Sequence, residues 1–167
     1  ITVIDTRFVS ERVYQLRNWN INFIQGDILD KDLINKHCQD ADIIHHLAGI
    51  TDVPRVKSES NIEHDKKIKS VAETGTQNIL DAMSSKCKII MPSTHVVFEG
   101  IKEVKNNILE KEETNPVLSY GKSKDINEKQ LKASGKNYII LRLGSVYGYS
   151  TDTARIDIMP NYFSKMA

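Results

Sequence analysis

Short apolar runs rich in Ile and Val recur along this chain at about 1–5, 21–25, 41–47, 87–93 and 137–143, and each reads as a strand. Between them the apolar positions fall at helical spacing, which predicts helices over about 9–17, 31–38, 59–84 and 119–134. Asp30 is placed to cap the second helix with Asp32 in its first turn, and Gly135 to stop the last. Strand and helix in alternation imply parallel pairing through right-handed crossovers. The expected fold class is therefore α/β, a Rossmann-like doubly wound parallel sheet with helices on both faces. The segment from His95 to Ser119 is a long polar connection containing Asn106-Asn107 and Asn115-Pro116. Long ordered loops in compact domains usually serve function, so it is expected to wall a site.

Composition narrows the class. A chain of 167 residues with 40% hydrophobic and 27% charged residues suits one globular domain. The net charge of +1 gives no electrostatic case for nucleic acid or an anionic membrane, and no apolar run approaches the ~20 residues of a spanning helix. Cys38 and Cys87 lack a Cys-x-x-Cys partner or a histidine at metal-ligand spacing, so they read as reduced thiols of a cytoplasmic protein, with no metal site expected. His45 and His46 are adjacent in a strand and point to opposite faces. They are expected to pack, not to share a metal.

The candidate chemistry lies in Tyr120-Gly121-Lys122-Ser123-Lys124. Four residues apart on a helix, Tyr120 and Lys124 stack one turn apart on one face. A phenol titrates near pH ~10 and is a poor base at neutrality, but an adjacent cation stabilises the phenolate. Such a phenol can move a proton to or from a carbinol, and a Ser93 or Thr94 hydroxyl at a strand end could hydrogen-bond the substrate oxygen. Alone, Tyr-x-x-x-Lys also arises by chance in a lysine-rich helix exposed to solvent.

Further segments lie in order around it: Val3-Ile4-Asp5, Gly26-Asp27-Ile28, His46-Leu47-Ala48-Gly49, Gly75-Thr76, Ser93 to Gly100, and Arg142-Leu143-Gly144-Ser145-Val146-Tyr147-Gly148. Together they resemble the extended short-chain dehydrogenase/reductase family, in its NAD-dependent epimerase/dehydratase branch, from Ile1 to about Gly148. The resemblance implies that Thr94, Tyr120 and Lys124 are catalytic. It also implies that Asp5, Asp27, Ile28, Leu47, Ala48, Gly49, Tyr120, Lys124 and Leu143 line the cofactor. Asp5 would hold the adenosine ribose hydroxyls and favour NAD, while Arg7 keeps NADP possible. Residues 1–150 would form a partial NAD(P)-binding domain and 151–167 the start of a truncated substrate domain.

The first glycine is Gly26 and no two glycines are three residues apart, so the Gly-x-x-Gly-x-x-Gly turn of the family is not in this sequence. The resemblance sets Ile1 in the family's second strand, which leaves the central first strand and most of the substrate domain outside the chain. Two strand edges are then expected unpaired within the sheet, and the chain by itself is expected to bind NAD weakly or not at all. Where the family's dehydratases carry an Asp-Glu pair after Thr, His95-Val96 stand here, and valine transfers no proton. Ser93 to Gly100 also resembles keto-sugar reductases, and Ala72 and Ser145 occupy positions where the family usually has Asn.

The reading is an NAD-dependent nucleotide-sugar epimerase. The alternatives are an NAD(P)-dependent keto-sugar reductase or alcohol dehydrogenase and, from another class, a non-catalytic nucleotide-binding module. A homodimer is expected through the helix from about Glu59 and the helix carrying Tyr120, on the strength of apolar positions Ile68, Val71, Ile79 and Leu80.

Overall fold

The computed structural model of the chain describes residues 1–51, 61–148 and 159–166. The expected start of the long helix near residue 59 and most of 151–167 lie outside the described residues. Within them, strands β1 (Thr2–Asp5), β2 (Asn22–Gln25), β3 (Ile43–His45), β4 (Lys88–Thr94) and β5 (Asn137–Leu143) alternate with helices α1 (Ser10–Asn18), α2 (Lys31–Cys38), α3 (Ile62–Ser70), α4 (Thr76–Ala82), α5 (Ser119–Ala133) and α6 (Met159–Met166). Every strand pair is parallel, and the fold is Rossmann-like. The sheet comes in two pieces, β1-β2 and β3-β4-β5, with no ladder joining β1 to β3. That agrees with the two unpaired edges expected from the sequence.

Local chemistry sets the helix ends. Asp30 caps α2 by accepting the Leu33 amide at 3.0 Å, as expected. Asn61 caps α3 by accepting the Glu63 amide at 2.9 Å. At the end of α1, Asn20 takes a left-handed φ of 56°, so that Ile21 N–H reaches Leu16 C=O at 2.9 Å and Asn20 N–H reaches Arg17 C=O at 2.9 Å. Gly135, with φ of 67°, ends the chain's path out of α5.

Two expected elements are shorter or interrupted. β3 covers 43–45, not 41–47, because Leu47 N–H bonds the His45 carbonyl in a tight turn and leaves the ladder. The long helix expected over 59–84 is broken by a π-helical turn, Val71–Gly75, between α3 and α4. A Cβ on Gly75 would lie 2.2 Å from Ile28 Cδ1, so the bare backbone there lets the long helix meet the β2–α2 connection.

The core is built from Ile28, Ile34 and Cys38 beside α2, Ile79, Leu80 and Met83 of the α4 region, Cys87, Ile89 and Met91 at β4, and Leu131 of α5. Alternation along β4 turns Ile89 and Met91 inward. The other face of the β3–β5 sheet presents Ile43, Ile139 and Leu141 to solvent. Both cysteines are free and buried, and burial raises their thiols. The argument for a dimer face is corrected here. Ile68, Ile79 and Leu80 are 2–4% exposed within this one chain, and Val71, partly buried, packs against the same core, so the first three serve the chain's own core. Among the described residues no helix is long and apolar enough to cross a membrane.

Candidate functional site

The expected site residues fall at the carboxyl ends of the strands, where open α/β sheets bind ligands, but on two separate sheets. Asp5 ends β1 and is exposed; its Oδ1 accepts the Arg7 amide at 2.8 Å, which rigidifies the turn and leaves the other carboxylate oxygen for a ligand. Asp27 follows β2, also exposed, and accepts the Leu29 amide at 2.9 Å. Ile28 follows it with its side chain buried in the core against Gly75. Leu47 is exposed after β3, Ala48 packs on the core, and a Cβ on Gly49 would come 4.0 Å from Lys124 Nζ, which brings this loop alongside α5.

Thr94 is the last residue of β4 and pairs in register with Leu143 of β5. It is buried, and its Oγ1 accepts the Val96 amide at 3.2 Å, which leaves its hydroxyl hydrogen to donate. His95 begins a 3-10 turn (His95–Phe98), and its Nδ1 meets the Leu143 carbonyl at 3.3 Å. A carbonyl only accepts, so that nitrogen carries the hydrogen. His46 is buried and His45 exposed, as alternation required. Among the described residues no group of His, Cys, Asp or Glu is arranged to hold a metal.

Tyr120 and Lys124 lie in the first turns of α5. Leu118, at the N-cap position, offers no side-chain cap. Glu99 does so from the 3-10 turn: its Oε1 accepts the amides of Val117, at 2.6 Å, and Leu118. Gly121 permits the contact, since a Cβ there would stand 3.2 Å from the Val96 carbonyl oxygen and 3.0 Å from Pro116 Cβ. The long connection is closed at its neck, where Gly100 and Asn115 exchange hydrogen bonds of 2.8 and 3.0 Å. These ties fix the start of the helix that carries the phenol. Lys124 Nζ sits 5.9 Å from the Tyr120 ring centroid, and the lysine is 8% exposed. Burial lowers its pKa from the ordinary lysine range. The solvent-exposed alternative for this pair is thereby removed.

Sequence reasoning missed the groups that hold α5 in place. Glu128, one turn beyond Lys124 and 1% exposed, accepts Ser93 Oγ–H at 2.7 Å and Arg142 Nε–H at 2.9 Å on one oxygen, and Arg142 Nη2–H at 2.7 Å and Lys132 Nζ–H at 3.1 Å on the other. Burial alone would raise this carboxyl, but hydrogen bonds from Arg142, Ser93 and Lys132 outweigh it and hold it at about 2. Arg142 also donates to the Glu110 carbonyl at 3.1 Å and stacks on Phe98 at 4.9 Å. Because Ser93 and Arg142 are in register and directly precede Thr94 and Leu143, this carboxylate ties the ends of β4 and β5 to the helix. The signal in the sequence was the spacing of Tyr120, Lys124 and Glu128, four residues apart on one helix face.

Comparison with known proteins adds to this geometry. Residues 7–163 match the family described as RmlD substrate binding domain. Over 147 residues the chain is 31% identical to a putative UDP-glucose 4-epimerase of Methanocaldococcus jannaschii, across 80% of this chain and 45% of that protein. It is 29% identical over 143 residues to 3beta-hydroxysteroid-dehydrogenase/decarboxylase isoform 2 of Arabidopsis thaliana, across 80% of this chain and 24% of that one. Among solved structures, UDP-glucuronic acid 4-epimerase from Bacillus cereus, in complex with NAD, superposes with a TM-score of 0.69 at 25% identity, over 88% of this chain and 49% of that chain. The chain spans less than half the length of each of these relatives.

Proposed function

The chain belongs to the RmlD substrate binding domain family, in the NAD-dependent epimerase/dehydratase branch of the extended short-chain dehydrogenase/reductases, and from that premise we propose that it serves an NAD-dependent nucleotide-sugar epimerase. The observation that carries the reading is the buried Lys124 one turn from Tyr120, on a helix tied to the strand that ends in Thr94. Tyr120 removes the carbinol proton. Lys124 stabilises the phenolate by charge in surroundings of low dielectric, where that attraction is stronger than in water. Thr94 donates its remaining hydrogen to the carbinol oxygen and orients it. A nicotinamide cofactor, held by Asp5 and the 47–49 loop, would supply the hydride acceptor and donor.

The residues fit such a cofactor. Asp5 keeps one carboxylate oxygen for a ribose diol, and Gly49 lets the loop backbone run close to Lys124. The relatives named as UDP-sugar 4-epimerases, one of them solved with NAD, support the same assignment of cofactor and substrate class. NAD is favoured over NADP because the carboxylate of Asp5 repels a 2′-phosphate. A reductase or dehydrogenase is the second reading, favoured by the Ser93 to Gly100 pattern and by the hydroxysteroid dehydrogenase relative. Dehydration is disfavoured by Val96.

The test is incubation of the whole protein with NAD and UDP-glucose or UDP-glucuronic acid, following both sugar epimer and NADH. Epimer formed without net NADH supports the proposal. Stoichiometric NADH overturns it in favour of the dehydrogenase reading.

A further inference from the structure

Three polar side chains that the proposed proton transfer does not use are buried together where β3, α4 and α5 meet: His46 at 3% exposure, Thr76 at 0% and Asn127 at 4%. The direction of their hydrogen bonds is set from the Asn127 end. Asn127 Nδ2 lies 2.8 Å from the Ala72 carbonyl oxygen and 2.8 Å from Thr76 Oγ1. A carbonyl oxygen can only accept, so the amide must turn its nitrogen inward, and its second hydrogen goes to Thr76. The contact to Gln130 Oε1, at 3.4 Å, is longer and draws on the same two hydrogens. Thr76, already an acceptor, has one hydroxyl hydrogen and finds its acceptor in His46 Nε2 at 2.8 Å. With the Thr76 hydroxyl donating to Nε2, a neutral His46 carries its hydrogen on Nδ1, the one buried side-chain polar atom among the described residues without a hydrogen-bond partner.

Neutrality follows from the surroundings. Burial, and then the charge of Lys124, press the His46 pKa down to about 4, so the ring is uncharged at physiological pH. Ala72 lies in the π-helical turn; its carbonyl accepts a backbone N–H at the end of that turn and takes the Asn127 hydrogen on its second lone pair. Asn127 is three residues beyond Lys124 on α5, and His46 is three residues before Gly49, whose loop runs beside Lys124 Nζ.

We infer that Asn127, Thr76 and His46 form a relay of fixed polarity that positions Lys124 against the 47–49 loop by tying both to the π-helical turn, Asn127 and Thr76 being positioning residues for the reaction. In its catalytic consequence this rests on the reading of Lys124 given above; in its tautomer it stands alone. Of the side chains on α5 buried near Lys124, Asn127 supplies the donor that the Ala72 carbonyl takes, and at position 72 itself alanine offers none. Removing the Thr76 hydroxyl breaks the relay in the middle without adding bulk.

The experiment uses the whole protein. Imidazole ¹⁵N shifts of the unmutated protein at pH 7 should show His46 as the Nδ1–H tautomer, and Thr76→Val should release that preference. In the same variant kcat should fall about tenfold or more with KM for the nucleotide sugar within about twofold, since a misplaced reacting group loses rate more than binding. Thr76→Ser, which keeps the hydroxyl, should restore kcat to within about twofold. An Nε2–H tautomer in the unmutated protein overturns the relay whether or not any variant folds. A folded Thr76→Val with unchanged kcat overturns the positioning role. If Tyr120→Phe were fully active while the tautomer result held, the function proposed above would fail and the relay would not.

Discussion

Glu128 offers a perturbation whose size can be worked out. Its carboxylate is 1% exposed and accepts four hydrogen bonds, two of them from the Arg142 fork. Glu128→Gln keeps the shape but removes the charge, leaving Arg142, itself with a side chain 14% exposed, without its counter-ion. Breaking one partner of a buried pair costs about 3–5 kcal/mol. Linkage gives a similar size independently: a carboxyl lowered from 4.5 to about 2 on folding corresponds to about 3 kcal/mol. The folded pKa is depressed, so this stabilisation is complete above about pH 4.5 and is lost as pH falls through about 2. Urea unfolding followed by circular dichroism should therefore show Glu128→Gln destabilised by about 3 kcal/mol at pH 7, equivalent to roughly 6–12 °C in Tm for a chain of this size. By pH 3 the gap should shrink by about 2 kcal/mol. Replacing both partners with methionine should cost less than Glu128→Gln alone, because no unpaired charge remains. A gap that stays constant from pH 7 to pH 3, or one below about 0.5 kcal/mol, would refute the assignment of this charge as the tie between β4, β5 and α5.

Tyr120→Phe should lower turnover by about a hundredfold or more while the cofactor dissociation constant barely changes, measured by steady-state kinetics and calorimetric titration; near-native rates would remove the phenol from the mechanism. Asp5→Ala should weaken NAD binding and relax the rejection of NADP, and a preference for NADP in the unmutated protein would show that Arg7 governs the choice instead. His46, neutral in the fold with a pKa lowered from 6.5 to about 4, is bound to fewer protons folded than unfolded in that window. Stability should thus decline as pH falls from about 6.5 to 4, by up to about 3 kcal/mol, and His46→Gln should flatten that slope in urea titrations.

The strands were legible because each is a compact run of Ile and Val, and their order followed from alternation with helices. The end of β3 was not, since the departure of Leu47 from the ladder is decided by its own hydrogen bond to His45 and not by its apolar side chain. The π-helical turn was also hidden, and the contacts it makes, Ile28 beside Gly75 and Asn127 to Ala72, span 47 and 55 residues of sequence. The stacking of Tyr120 and Lys124 one turn apart and the place of Thr94 at a strand end were legible from residue type and spacing. Their supports were not, because the buried face of α5 is polar: Ser123, Lys124, Asp125, Asn127 and Glu128 are all inside, and only Leu131 marks it as a core face. Hydrophobic periodicity reads such a helix as nearly solvent-exposed. Ile28 was read for its place in the motif, and its packing in the core was not legible there.

The two halves of the candidate site differ in how firmly the chain itself holds them. Thr94, His95, Leu143 and the helix carrying Tyr120 and Lys124 share one hydrogen-bonded sheet and the Glu128 carboxylate, so their mutual geometry is fixed by β4–β5 pairing and a buried ion pair. Asp5 and Asp27 stand on the β1-β2 pair, joined to the rest by packing of Ile4 and Ile28 against the common core and by Asn78 Nδ2–H donating to the Ile28 carbonyl at 2.9 Å, and not by any strand ladder. Packing of apolar side chains is non-directional, whereas a ladder fixes register. The acid/base half of the site is accordingly specified by directional bonds within the described residues. The β2–α2 connection that carries Asp27 meets the long helix through Ile28 beside Gly75 and the Asn78 hydrogen bond, and a substitution at Gly75 should alter cofactor affinity, measured by calorimetric titration, before it alters the chemistry at Tyr120.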